Sequence, residues 1–158
     1  MRLRIRGFTL VELIMTVAII GILATAAFPL AELAVARAKE RELQVALRDI
    51  REAIDTYKRA VDDGRIAKSI TDTGYPKSLS LLYRGVADQK HPEKAMIYLM
   101  RRLPRDPMNP DVALGPDESW GRRSYASPPD DPRDGEDVFD VFSRSAGVGL
   151  NGIPYREW

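Results

Sequence analysis

The chain of 158 residues contains no cysteine. No disulfide can staple a loop, and no thiolate can act as nucleophile or metal ligand. A domain outside the reducing cytoplasm would then rest on its own core, a partner or a bound ion. Histidine is nearly absent too. The one copy, His91, stands before Pro92 in a polar stretch and reads as a solvated residue at a helix start. Alone it makes neither an oriented general base nor a metal cluster. There is no G-x-x-x-x-G-K-[ST] segment, so nucleotide hydrolysis is not built in. The acidic run "DDPRDGED" (130–137) lacks the D-x-[DN]-x-[DN]-G order of a calcium loop and reads as a solvated turn. Net charge is only +1, and without Arg2, Arg4 and Arg6 the balance is 21 basic against 23 acidic residues. That excludes a basic nucleic-acid surface. No pair of carboxylates can be assigned to one cleft, so no enzyme is expected.

What is present is a long apolar run. "RGFTLVELIMTVAIIGILATAAFP" occupies residues 6–29, and from Leu13 to Ala31 nineteen consecutive residues carry no charge. At 1.5 Å per helical residue such a run spans roughly 28 Å, close to the hydrocarbon core of a bilayer. Glu12 heads the run, four residues inside the apolar segment that begins at Phe8. A carboxylate in that setting costs about 2.5–3.5 kcal/mol on insertion scales and marks a functional position by default.

Three readings compete for this segment. A buried helix of a soluble protein is the first, but nineteen uncharged residues exceed what a domain this small hides. The second is a secretory signal, with basic Arg2–Arg6, an apolar middle and the A-x-A-like triplet Ala24-Thr25-Ala26. Against it, Glu12 interrupts the apolar region and the run continues through Phe28 and Leu30. In the third, the basic leader "MRLRIRG" is removed and the helix remains as a permanent anchor. The arginines place its N-terminal side in the cytoplasm. A cut after Gly7 exposes the α-amino group of Phe8, a cation with a pKa near 8. A neighbouring helix shifted along its axis could bring that amine to Glu12, so that the carboxylate is neutralised only when subunits pack. This reading accommodates every residue of the segment.

The segment resembles the prepilin leader and N-terminal helix of type IV pilins and type II secretion pseudopilins: a basic leader ending in Gly7, then Phe8, then Glu12 as the fifth residue after the cut. The resemblance implies cleavage after Gly7, N-methylation of Phe8 by a prepilin peptidase, and a role for Glu12 in filament assembly. Pro29 removes a hydrogen bond to the carbonyl of Thr25, which predicts a kink. In the family, a proline here marks a segment that melts on entering the filament. Gly21, Ala24, Ala26 and Ala27 permit close helix approach.

Beyond Ala31 the pattern becomes amphipathic. Leu43, Leu47, Ile50, Ile54, Tyr57 and Val61 alternate spacings of four and three, a helical core stripe. Arg48, Asp49, Arg51, Glu52, Asp55 and Lys58 occupy the opposite face, and Asp62-Asp63-Gly64 ends the helix. "GYPKSLSLLYRG" offers a turn and a brief apolar segment. Pro92 opens a predicted short helix through "EKAMIYLMRR". "LPRDPMNPD" is a rigid connector, and "SWGRRSYAS" and "EDVFDVFS" read as strands around the acidic turn. The tail "RSAGVGLNGIPYREW" is irregular, with an aromatic that could pin it down.

The order "YP", "YL…LPRDP", "W…Y", "DVFS", glycine-rich loop, tryptophan resembles the major pseudopilin of type II secretion along most of the chain. Typical members carry an acidic residue in the loop after the last strand and bind calcium there. Here "SRSAGVG" places Gly147 near that position and no acid follows until Glu157, so calcium is not expected.

The expected fold is α+β: a long N-terminal helix, transmembrane in its first half and amphipathic in its second, packed on a small antiparallel β-sheet with short helices and an irregular C-terminal loop. The expected segments are a leader (1–7), a transmembrane and assembly helix (8–31) and a periplasmic domain (32–158). The resemblance implies a structural subunit of a type II secretion pseudopilus, anchored in the bacterial inner membrane and extracted into a periplasmic filament. Its implied partners are copies of itself, minor pseudopilins, the prepilin peptidase and an assembly platform with a separate ATPase. Nucleic acid is not among them. A type IV pilin or minor pilin-like subunit stays open within that class. In another class, a secreted binding domain cleaved near Ala26 stays open.

Overall fold

A computed structural model describes residues 8–158. The element order is α1 (Leu10–Asp62), α2 (Ser80–Arg84), β1 (Val86–Ala87), β2 (Met96–Ile97), α3 (Pro116–Ser119), β3 (Trp120–Arg123), β4 (Asp140–Ser143) and a 3₁₀ turn (Tyr155–Glu157). The fold is α+β, as the sequence predicts. The β structure is divided between two antiparallel pairs, β1–β2 and β3–β4, rather than gathered in one sheet. The chain has two compact units, the first ending at Ala38 and the second running Lys39–Trp158.

In the first unit every large apolar side chain from Phe8 to Leu30 is exposed. The apolar part of α1 is long and apolar enough to cross a membrane, by length and composition. A helix apolar all round is stable only when lipid or other helices cover it.

In the second unit the predicted stripe Leu43, Leu47, Ile50, Ile54, Tyr57 and Val61 is buried throughout. Ala46, Ala53 and Ala60 are buried with it. Recurring at sevens, they widen the stripe to a full core-facing face without adding bulk, so neighbouring chain can approach closely. The helix ends where expected. Gly64, at φ 69°, donates its N–H to the Val61 carbonyl (2.9 Å), and the Arg65 N–H reaches the Ala60 carbonyl (2.8 Å). That is the paired bonding of a glycine-terminated helix.

The other core side chains come from short pieces laid against this face: Leu79, Leu82, Leu103, Trp120, Val138 and Val141. Trp120 is 1% exposed, and its indole N–H donates to the Pro104 carbonyl at 2.9 Å. The connector "LPRDPMNPD" is tied down by Asp106. Its carboxylate accepts from the Ser143 hydroxyl (2.7 Å) and the Met108 N–H (2.8 Å), and its own N–H donates to Ser119 Oγ (3.1 Å). The β3–β4 pair lies inside the two predicted strands, with Trp120 opposite Ser143 and Arg123 opposite Asp140. The acidic turn between them is braced by Arg122 on Asp134 (2.8 Å).

The short helix predicted from Pro92 does not form. Met96 and Ile97 are instead strand β2, paired with Ala87 and Val86. The Leu99 and Met100 N–H groups both donate to the Leu82 carbonyl, at 3.0 and 2.9 Å. A ten-residue segment is too short to hold a helix by propensity. An extended path gives it backbone partners on β1 and α2, and tertiary bonding decides the outcome. His91 is exposed on the turn before β2.

Arg65 fastens the chain leaving α1 to the end of β1, donating from Nε (2.9 Å) and Nη2 (2.7 Å) to Asp88 Oδ2. These bonds hold the Asp88 carboxyl below the usual carboxylate range. A lowered folded pKa contributes stability that is complete above the unfolded pKa and is lost as pH falls through the lowered value. Asp88→Asn should therefore weaken the fold at neutral pH and flatten the loss of stability between about pH 5 and 2, read by denaturant unfolding at stepped pH. In the core, Trp120→Ala should cost about 3–5 kcal/mol by the same measurement. Trp120→Phe keeps an aromatic ring but orphans the Pro104 carbonyl, and should cost about 1–3 kcal/mol.

Candidate functional site

The candidate site is the start of α1. Thr9 immediately precedes the helix. Its hydroxyl oxygen accepts the Glu12 N–H at 3.2 Å, and its carbonyl accepts the Leu13 N–H at 3.1 Å. Thr9 is thus the N-cap, and Glu12 sits three residues into the helix. Threonine followed three positions later by glutamate, just before an apolar run, is the capping-box pattern. The spacing is legible in "TLVE", where the same glutamate is both the third helical residue and the carboxylate at the head of the apolar run.

The cap changes what Glu12 faces. Its carboxylate lies in the first turn, where unsatisfied N–H groups and the aligned peptide dipoles favour negative charge. Part of the expected cost of Glu12 is therefore offset within its own helix. Glu12 is exposed, as is Phe8 at 80%. Among the described residues, nothing covers the carboxylate, the aromatic ring or the large apolar residues that follow. Gly7, the expected cleavage position, lies outside the described residues.

The polar groups deeper in the run are mostly satisfied locally. The Thr16 hydroxyl donates to the Leu13 carbonyl (2.8 Å) and the Thr25 hydroxyl to the Ile22 carbonyl (2.7 Å). Both threonines can enter an apolar medium without an orphaned donor. α1 continues through Pro29. Proline has no N–H, so the Thr25 carbonyl lacks its usual helical donor there. This is the one place in the run where the helical ladder is chemically interrupted.

Among the described residues the site holds no nucleophile with a base and no pair of facing carboxylates. Among the described residues no group of three or more histidines and carboxylates is placed to hold a metal ion. What the arrangement can do is insert, present one carboxylate at the head of an apolar helix, and associate.

Comparison with known families matches residues 2–28 to the prokaryotic N-terminal methylation motif. No curated protein and no solved structure matches the chain. The motif brings with it a prepilin-type leader and a pilin-like mode of anchoring, and it is a structural motif rather than an enzymatic one. It covers Gly7, Phe8, Thr9 and Glu12 together with the apolar run to Phe28.

The cap can be checked directly. Thr9→Ala should cost about 1 kcal/mol at the helix start. Hydrogen exchange of the Glu12 and Leu13 amides, measured on the full chain in detergent micelles, should accelerate roughly fivefold. Thr9→Ser keeps the acceptor and should exchange like the unaltered chain.

Proposed function

We propose that this chain is a structural subunit of a type II secretion pseudopilus. In this reading it is made as a precursor, cut after Gly7 by a prepilin peptidase and N-methylated on Phe8. It is held in the bacterial inner membrane by the helix of residues 8–31, with its N-terminus cytoplasmic and residues 32–158 in the periplasm. From there it is drawn into a filament that supports protein export across the outer membrane. A separate ATPase supplies the work, and minor pseudopilins and an assembly platform are its other partners.

The observation that carries the reading is the methylation motif over residues 2–28, joined to an apolar helix whose every large side chain is exposed. A helix head with one exposed carboxylate and uncovered apolar flanks is suited to packing against identical helices, each offering its Phe8 amine to the next Glu12. The charge is then satisfied only in the assembly, where leaving one partner of a buried pair alone is costly. The interrupted ladder at Thr25 and Pro29 supports the idea that this stretch gives up helical structure on entering a filament.

The methylation motif is equally compatible with a type IV pilin. The order of segments in the second half, "LPRDP", "W…Y", "DVFS" and a tail without cysteine, favours the pseudopilus. A secreted domain cleaved near Ala26 is disfavoured, because the matched motif runs through that point to Phe28.

Glu12→Ala should still be processed after Gly7 and reach normal levels in the inner membrane, since removing a carboxylate eases insertion. It should be missing from sheared filaments and should not restore export to a strain lacking the wild-type chain. Glu12→Asp, one methylene shorter, should be intermediate. Gly7→Glu should keep its leader and form no filaments, because the peptidase needs close approach to the backbone at that residue. Wild-type assembly and export by Glu12→Ala would remove the basis of the reading. Filament loss with export intact would move the chain from pseudopilus to pilus.

A further inference from the structure

From β4 onward the chain has little regular structure of its own. Beyond the β3–β4 ladder it has one isolated bridge, Val148 to Pro154, a turn closed by the Gly152 N–H on the Gly149 carbonyl (2.8 Å), and the 3₁₀ turn Tyr155–Glu157. An irregular, glycine-rich tail of this kind needs an external fastening to stay ordered. Two charged side chains of α1 provide it. One Glu40 carboxylate oxygen accepts the Leu150 N–H at 2.6 Å and the Tyr155 hydroxyl at 3.1 Å. The Arg51 guanidinium donates from Nε to Asp140 Oδ1 (2.8 Å), and from Nη2 to the Val141 carbonyl (3.2 Å) and the main-chain oxygen of Trp158 (2.7 Å). Glu40 and Arg51 are eleven residues apart, three turns, so both lie on one face of α1 about 16 Å from each other. The tail is therefore gripped at its start, middle and end. Arg51 is not the freely solvated residue its helical position suggests.

A divalent cation such as calcium needs six to eight oxygens at about 2.3–2.6 Å, with carboxylates among them. Three carboxylates that face this tail, Asp106, Asp140 and Glu40, are already engaged by protein donors, while Glu157 is exposed on the 3₁₀ turn. Asp106 accepts from Ser143, Met108 and the Arg144 N–H (3.3 Å). Asp140 is shared by Arg51 and by Arg123 (3.4 Å), and Glu40 carries two donors. Two side-chain oxygens of the loop are occupied as well: Ser145 Oγ accepts the Gly147 N–H (3.2 Å), and Asn151 Oδ1 accepts the Ile153 N–H (3.0 Å). Close packing completes the closure. Trp158 lies over Tyr155 with ring centroids 5.2 Å apart, and a Cβ added at Gly149 would come within 2.4 Å of the indole. Among the described residues no three carboxylates or histidines converge on the loop, and those present do not fit a cation site.

We infer that Glu40 and Arg51 together form a protein-built clamp that orders the C-terminal loop without a divalent cation, so that the subunit's folded state does not depend on calcium. Burial, and then the hydrogen bond to Glu40, push the Tyr155 hydroxyl above its ordinary pKa, consistent with a phenol that donates to a carboxylate and stays protonated. The clamp acts within a single chain, so its truth is separate from whether the chain forms filaments.

The test is limited trypsin digestion of the full chain in detergent micelles, following cleavage after Arg144 and Arg156, with chelator or with added calcium. The unaltered chain should be cleaved at the same rate, within about twofold, in both conditions. Glu40→Ala should be cut about tenfold faster in both, because Leu150 and Tyr155 lose a charged acceptor. Glu40→Gln retains an oxygen acceptor and should fall between, and it covers the case in which the alanine variant unfolds. Arg51→Lys keeps the charge but loses the forked donors, and should also be cut faster. Unchanged far-UV circular dichroism would show that the core stays intact. Faster cleavage of the unaltered chain in chelator, reversed by calcium, would overturn the inference. So would Glu40→Ala and Glu40→Gln chains cleaved at the unaltered rate.

Discussion

Burial of the Leu43–Val61 face of α1 is the interaction on which the C-terminal unit depends, because no other element there can stand alone. Each sheet has two strands, β1–β2 is two residues long per strand, and α2 and α3 are single turns. A two-stranded ribbon is marginal in water, and helices this short do not persist by propensity. They become stable by packing against the one long apolar face available: Leu82, Trp120 and Val141 are buried in its core, and Val86 and Ile97 of the β1–β2 pair are partly buried against it. The alanines at 46, 53 and 60 matter for the same reason, since they let irregular backbone come close enough to the helix to exclude water.

The polar groups in this unit follow the same economy. With so little regular sheet, backbone groups in connectors must find partners among side chains, and a few buried or half-buried residues serve several at once. Asp106 joins the proline-rich connector to β4, Arg65 and Asp88 close the chain after α1, and Glu40 and Arg51 hold the tail. Among the described residues no buried side-chain nitrogen or oxygen lacks a partner. In a chain without cysteine, multiply bonded carboxylates and guanidinia do the cross-linking that disulfides do elsewhere.

The start of α1 works on the opposite principle. There the side chains are left uncovered, and the local chemistry settles only what one chain can settle: a threonine cap, hydroxyls bonded back to carbonyls, a carboxylate near the positive end of a helix. The apolar surface from Phe8 to Leu30 and the carboxylate of Glu12 are left exposed. An exposed patch of that extent is an instruction about surroundings.

The sequence by itself determined the elements whose signal is periodic or local. The apolar run and its leader, the core stripe at spacings of four and three, the Asp62-Asp63-Gly64 stop and the two longer strands were all legible. Each depends on residues close together in the chain. The capping role of Thr9 belongs with them, written in the spacing of "TLVE". Tertiary structure decided what depends on distant partners. "EKAMIYLMRR" has a helical start and apolar spacing, but Leu82 and β1 supply backbone bonds that draw it into strand. The splitting of the β structure into two pairs followed from that. Arg51 and Glu40 look like solvated helix residues, because their partners at Asp140, Leu150, Tyr155 and Trp158 lie some ninety to one hundred and fifteen positions away. A hydrogen bond to a main-chain N–H or carbonyl leaves no trace in the identity of the residue that offers it. For that reason the fastening of the tail could be seen only once the chain was folded.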